Sequence, residues 1–198
     1  MYEQSSPMTR TPFLTPEEMD SEQRRVYDDI VRSRGTWLNG PYAPLLHSPE
    51  LADKAQALGE LVRYRTSLDP RLSELAIIIT ARHWDCQFEW LQHEKIARKQ
   101  GISEATCVSI ANGYPPALDN EIDEVVYAFT SALLAKHFVD ESTYARARAL
   151  LGIPGTVELV AIIGYYSFIA MTLNAHEVPL PAGSVAPLPT RAEITENR

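Results

Sequence analysis

Cysteine is nearly absent from this chain of 198 residues: only Cys86 and Cys107 occur. Two cysteines exclude a disulfide scaffold, and such sparing use suits a reducing cytoplasm. Lysine and arginine form no rich stretch, and 18 basic residues against 26 acidic ones leave a formal net charge of -8. That balance argues against nucleic acid or an anionic membrane as a partner. The longest apolar runs, Leu75–Thr80 and Leu159–Ile163, fall far short of a bilayer span, and the N-terminus reads as carrying no secretory signal. Gly-x-Gly-x-x-Gly, the P-loop and Gly-x-Ser-x-Gly are also missing, so nucleotide-dependent chemistry and the common serine-hydrolase elbow have no motif here. No hydrophobic run alternates with period two for long enough to support a sheet.

What is present is helical. Hydrophobic residues make up 45% of a length suited to one domain with a real core. Seven of the 14 prolines fall between Pro7 and Pro70 and four between Pro179 and Pro189, while Arg71–Tyr114 and Ala117–Ile153 contain none. Proline-free stretches rich in Ala, Leu, Ile, Glu and Arg favour helix because every backbone donor is retained. Thr15-Pro16-Glu17-Glu18 predicts a helix start, with the helix running to about Arg34 and stopping at Gly35; Asn39-Gly40-Pro41 marks a loop. Ser48-Pro49-Glu50 and Asp69-Pro70 open the next two, to about Arg65 and across Leu72, Leu75, Ala76, Ile78 and Ile79. Asp85 reads as the N-cap of a helix ending before Gly101, and Ser103-Glu104 starts a short one ending near Asn112-Gly113. Asp119–His137, Asp140–Leu151 and Pro154–Asn174 complete an all-α reading. Residues 1–14 are expected as a flexible segment, 15–178 as a single helical domain and 179–198 as a Pro-rich extended tail. A short internal echo, Glu74-Leu75-Ala76 before His93-Glu94 and Glu158-Leu159-Val160 before His176-Glu177, suggests two related helical hairpins.

Reactive side chains concentrate between Glu74 and His93. Cys86, Glu89 and His93 are spaced i, i+3 and i+7, one stripe of a helix. Cys86 is expected in the first turn, where the helix dipole lowers a thiol pKa. Glu89 and His93 are i, i+4 neighbours able to set the imidazole's charge and tautomer. Glu74, embedded in an apolar helix, needs a partner or a function to justify burial. The plainer reading stands beside this one: an ordinary Glu–His helix pair, a small core cysteine and an exposed glutamate.

Glu74, Cys86, Glu89 and His93 at this spacing resemble the active-site segment of the carboxymuconolactone decarboxylase family. The flanking Leu75-Ala76-Ile77-Ile78-Ile79-Thr80-Ala81-Arg82, Phe88-Glu89-Trp90-Leu91-Gln92-His93-Glu94, Ala97 and Gly101-Ile102-Ser103 agree with it. The resemblance covers about residues 39–113 and implies a helical fold and a homo-oligomer, a trimer or a hexamer built from trimers. One branch of the family, similar to the D component of alkyl hydroperoxide reductase, uses a Cys-x-x-Cys whose second cysteine attacks peroxide; here that position is Glu89, which removes the dithiol couple. The decarboxylase branch needs neither a cysteine pair nor a cofactor. It converts 4-carboxymuconolactone to the enol-lactone of 3-oxoadipate in aromatic catabolism. The resemblance therefore implies a cytoplasmic, cofactor-free carbon–carbon lyase acting on a small carboxylated substrate. His93 is then the proton donor or relay, with Glu74 and Glu89 tuning it. The alternatives are a thiol peroxidase using Cys86 and a non-catalytic oligomer whose Glu–His cluster holds an interface.

Three further residues are candidates for substrate binding. Arg82 can clamp a carboxylate in two-pronged fashion; Trp84, after His83, can line a pocket between two helices; His47 follows Tyr42-Ala43-Pro44-Leu45-Leu46 in a loop. Each also reads as an ordinary surface or packing residue. Tyr165, Tyr166 and Phe168 read as core or interface, with pocket lining as the lesser option, and His137 as a surface residue near a helix C-terminus. Glu74, Glu89, His93 and Glu94 include metal-ligand types, but no His-Glu-x-x-His occurs and no metal is expected.

Overall fold

The computed structural model describes residues 9–34, 40–190 and 192–193. Among them the chain forms eight helices and no strand: α1 (Ser21–Arg34), α2 (Tyr42–Leu45), α3 (Pro49–Tyr64), α4 (Pro70–His83), α5 (Gln87–Lys99), α6 (Glu104–Ala111), α7 (Glu121–Lys136) and α8 (Glu141–Ala175). The fold is all-α.

Helix α4 lies at the centre, its Leu75–Ile79 run carrying apolar side chains to every side. Asp69 caps it by accepting the Arg71 amide at 2.8 Å, Pro70 pre-sets the first turn, and every residue from Leu72 to Arg82 is buried. It packs against α5, α6, α7 and α8, and its Leu75, Ile77 and Ile78 join Val125, Val126, Phe129, Leu159 and Ile162 in the main core. A smaller apolar cluster, Val26, Ile30, Tyr42, Leu45, Leu46, Ala52 and Ala55, ties α1, α2 and α3 together, and Phe168 of α8 packs against both clusters. The N-terminal third is thereby set beside α8, where it forms one wall of the cavity described below.

Several boundaries differ from the sequence reading. Thr15–Glu18 closes only a turn, with the Thr15 carbonyl accepting the Glu18 amide at 3.0 Å. The helix starts instead at Ser21, where Asp20 and Gln23 form a reciprocal capping box. The stop at Gly35 and the Asn39 turn position lie outside the described residues. Asp85 is not the cap of α5: its φ is +51° and its carboxylate takes Arg82 at 2.6 Å, so Cys86 holds the N-cap. The segment around Tyr42, expected as loop, makes the short α2. Asp140–Leu151 and Pro154–Asn174 follow one another within α8 across a kink at Gly152, whose φ of +71° only glycine adopts cheaply. His137, in the left-handed region, ends α7.

The internal echo does not build a second Glu–His pair. Glu74 and His93 stand on two packed helices, whereas Glu158 lies midway along α8 and His176 caps its C-terminus, about 27 Å apart at 1.5 Å per residue. Glu158 accepts from Ser67, and His176 Nδ1 meets Thr11 Oγ1 at 2.6 Å. Of the expected flexible segment, residues 9–14 are tied down: Arg10 donates to the His176 and Ala175 carbonyls and pairs with Glu177. The tail returns to its own chain, where the Gln87 amide clasps both backbone groups of buried Leu188 at 2.8 and 2.9 Å. Helix α8 is long and apolar enough to cross a membrane by length and composition, although no single run suggested it. It nonetheless packs along α3, α4 and α7, with 56% of its most apolar window buried, as befits a core helix.

Candidate active site

The centre of the site is a histidine between two carboxylates. Glu74 projects from the middle of α4, and Glu89 and His93 from α5, four residues apart. The α4–α5 packing brings His93 Nδ1 to 2.7 Å from Glu74 and leaves Nε2 at 3.1 Å from Glu89. All three are buried, at 5%, 5% and 4% exposure. A carboxylate accepts, so both ring nitrogens donate, and the ring that satisfies both partners is the imidazolium. Burial alone pushes the His93 pKa down; the hydrogen bonds and charge of Glu74, then of Glu89, outweigh it and raise the pKa to about 9. The trio is thus a buried store for one proton.

Glu89 and His93 open onto a cavity of about 260 Å³, also lined by Tyr42, Arg63, Tyr64, Phe88, Gln92, Ile96, Tyr165, Tyr166 and Ile169. Glu74 does not line it; it holds the far side of the imidazole. Tyr166 packs its ring edge-on to His93 at 5.0 Å, fixing the imidazole plane from α8. The Tyr42 and Tyr165 hydroxyls meet at 2.9 Å, joining α2 to α8 at the cavity wall.

The other sequence candidates fall elsewhere. Cys86 is wholly buried and does not line the cavity; burial first, and the nearby Glu89 charge second, push its thiol up to about 12. The expected low pKa from the helix dipole is therefore corrected: desolvation and a neighbouring carboxylate dominate. Cys107 is also buried, its thiol raised to about 11. Arg82 is turned to Asp85 at 2.6 Å, and its guanidinium is not at the cavity. Trp84, the C-cap of α4, packs against the core edge with its carbonyl accepting from Asn174. His47 donates to the Pro12 carbonyl at 2.8 Å and holds the N-terminal strap. None of these three is positioned to bind a ligand in the cavity. A metal at His93 would have to displace one of its carboxylates, and no group of three His, Cys, Asp or Glu among the described residues is arranged to hold one.

The residues missed by sequence reasoning are Tyr42, Arg63 and Gln92. Gln92 was legible, since Glu89, Gln92, His93 and Ile96 share one face of α5 at i, i+3, i+4 and i+7. Tyr42 and Arg63 reach the cavity through packing of α2 and α3, which leaves no periodic trace.

The segment that carries the trio also carries a family signature. Residues 49–120 match the carboxymuconolactone decarboxylase family. That span runs from α3 to the cap of α7 and holds Glu74, Glu89 and His93. No curated protein matches the sequence. Among solved structures, an alkylhydroperoxidase D core, a peroxidase-related protein from Ralstonia eutropha JMP134, superposes with a TM-score of 0.72 at 16% identity, over 90% of this chain and 95% of that one. A protein of unknown function from Agrobacterium tumefaciens, proposed as an antioxidant defence protein, gives 0.62 at 18% identity, over 70% and 95%. A variant of the debrominase Bmp8 in complex with 2,3,4-tribromopyrrole gives 0.68 at 16% identity, over 95% and 96%. At these identities the likeness is one of fold.

Proposed function

We propose that this chain is a cofactor-free decarboxylase acting on a small carboxylated lactone such as 4-carboxymuconolactone. The observation that carries the reading is the His93 imidazolium, held between two buried carboxylates at the wall of a cavity that also presents Phe88, Ile96 and Ile169. Decarboxylation needs a dry pocket for the carboxylate that leaves, donors for the charge that develops, and an acid that returns one proton. Phe88, Ile96 and Ile169 offer the first, the Tyr42–Tyr165 hydroxyls the second and His93 the third.

In the reaction, the bond from the ring carbon to the leaving carboxylate breaks and carbon dioxide departs. The electron pair spreads through the ring alkene onto the lactone oxygen. The proton on His93 Nε2, shared with Glu89, passes to the ring carbon next to the carbonyl. A neutral imidazole remains, its Nδ1–H still on Glu74, until solvent restores the proton. Thiol peroxidase chemistry has less support: Glu89 stands where a second cysteine would attack, and Cys86 is buried with its thiol pushed up to about 12. An interface role for the trio has less support too, since Glu74, Glu89 and His93 come from one chain and meet inside it.

The test is turnover in deuterated water. The product is expected to carry one solvent deuterium at the ring carbon next to the carbonyl. His93→Gln should lose about 10²- to 10⁴-fold in kcat, the range of general acid catalysis, with a melting curve recorded beside it to separate lost chemistry from lost fold. Full turnover in a folded His93→Gln protein would sink the assignment.

A further inference from the structure

Once the reaction is a decarboxylation, the cavity's charges place a constraint on its substrate. The Glu74–His93–Glu89 trio carries a formal charge of -1, so it repels rather than attracts a carboxylate. The one other cationic side chain lining the cavity among the described residues is Arg63, in the last turn of α3. It is half-buried, with its guanidinium 5.2 Å from the centre of the Tyr64 ring, which limits its freedom. Its neighbour Arg65 lies 3.6 Å from Glu60, whereas Arg63 forms no ion pair with a carboxylate among the described residues.

A guanidinium on the leaving carboxylate would slow the reaction, because it stabilises the charge in the ground state and loses that contact as carbon dioxide forms. The leaving group is better served by the apolar wall of Phe88, Ile96 and Ile169. A guanidinium helps only by gripping an anion that persists from substrate to product, where its binding energy orients the ring against His93. Resting on the decarboxylase reading, we infer that Arg63 anchors a second carboxylate that the substrate keeps, so that the site selects lactones with one carboxylate to retain and one to lose.

The test uses muconolactone, which has a side-chain carboxylate but none to lose, and its methyl ester. Both are titrated calorimetrically into wild-type protein, Arg63→Ala and Arg63→Lys, each checked by its melting curve. The acid should bind wild type about tenfold more tightly than Arg63→Ala, with Arg63→Lys between them. The ester should bind wild type and Arg63→Ala alike. Equal binding of the acid to wild type and Arg63→Ala, binding no tighter than the ester, or no binding of the acid at all overturns the anchor. Carbon dioxide release from 4-carboxymuconolactone is read in parallel, with KM expected to rise in Arg63→Ala and kcat to fall as the ring loses its alignment on His93. Arg63-dependent binding without carbon dioxide release leaves the anchor standing and removes the decarboxylase; release with an unchanged KM in Arg63→Ala does the reverse.

Discussion

His93 illustrates how two opposing effects of burial are decided by partners. Desolvation favours the neutral ring, yet two carboxylates within hydrogen-bond reach reverse the outcome and raise the pKa from 6.5 to about 9. Because the folded value lies above the unfolded one, the trio's contribution to stability is complete below about pH 6.5. It falls away as pH rises through about 9 and is worth about 3 kcal/mol where complete. The imidazole C–H resonance of His93, followed by NMR, should therefore titrate near pH 9, and the unfolding free energy should drop across the same window; a midpoint near 6.5 would contradict the arrangement. Cys86 shows the limit of a local reading. Its place at the start of a helix was visible in sequence, but its complete burial and the adjacent Glu89 were decided by packing, and they reverse the expected pKa direction. Ellman's reagent should leave Cys86 unmodified in the native protein and label it once denaturant is added; rapid native labelling would mean an accessible thiolate.

At the scale of elements, the Glu89–His93 spacing was legible because α5 presents i, i+4 residues on one face. Glu74 was legible as an anomaly, a carboxylate in an apolar run, but the partner that resolves the anomaly lies 19 residues on and needed the α4–α5 packing to be seen. The Arg82 reading failed for a local reason: an i, i+3 carboxylate, Asp85, takes the guanidinium before any ligand can. The tail was read by composition as extended, and it is non-helical through Pro181 to Thr190 apart from a turn, but composition does not encode the Gln87 clasp on Leu188. Gln87→Ala removes both of those hydrogen bonds, so it should cost about 1–3 kcal/mol in chemical denaturation and speed proteolysis of the tail. Unchanged stability and unchanged cleavage would show that Leu188 is held by its apolar contacts alone.

For the whole molecule, the core and the cavity have different origins in the sequence. The core follows from the apolar character of α4 and α8, each announced by its own composition. The cavity is assembled from five helices: α5 supplies His93 and Glu89, α8 the aromatic wall, α2 a phenol, α3 a guanidinium and α1 the edge at Ser33. The family match spans α3 to α6, so it carries Glu74, Glu89, His93 and Arg63 but neither Tyr42 nor Tyr165 and Tyr166. Those three tyrosines therefore come from outside the matched segment, which is where substrate preference is free to differ between relatives of one fold.

On the proposed reading a histidine proton, not a thiol, does the chemistry. The most direct measurement supplies purified protein with 4-carboxymuconolactone in one arm and with hydrogen peroxide plus a dithiol reductant in the other, recording carbon dioxide release and peroxide consumption. Carbon dioxide release should fall about 10²- to 10⁴-fold in His93→Gln and persist in Cys86→Ser, with no peroxide consumed by wild type or by either variant. Peroxide consumption lost in Cys86→Ser, with no carbon dioxide from the lactone, would contradict it.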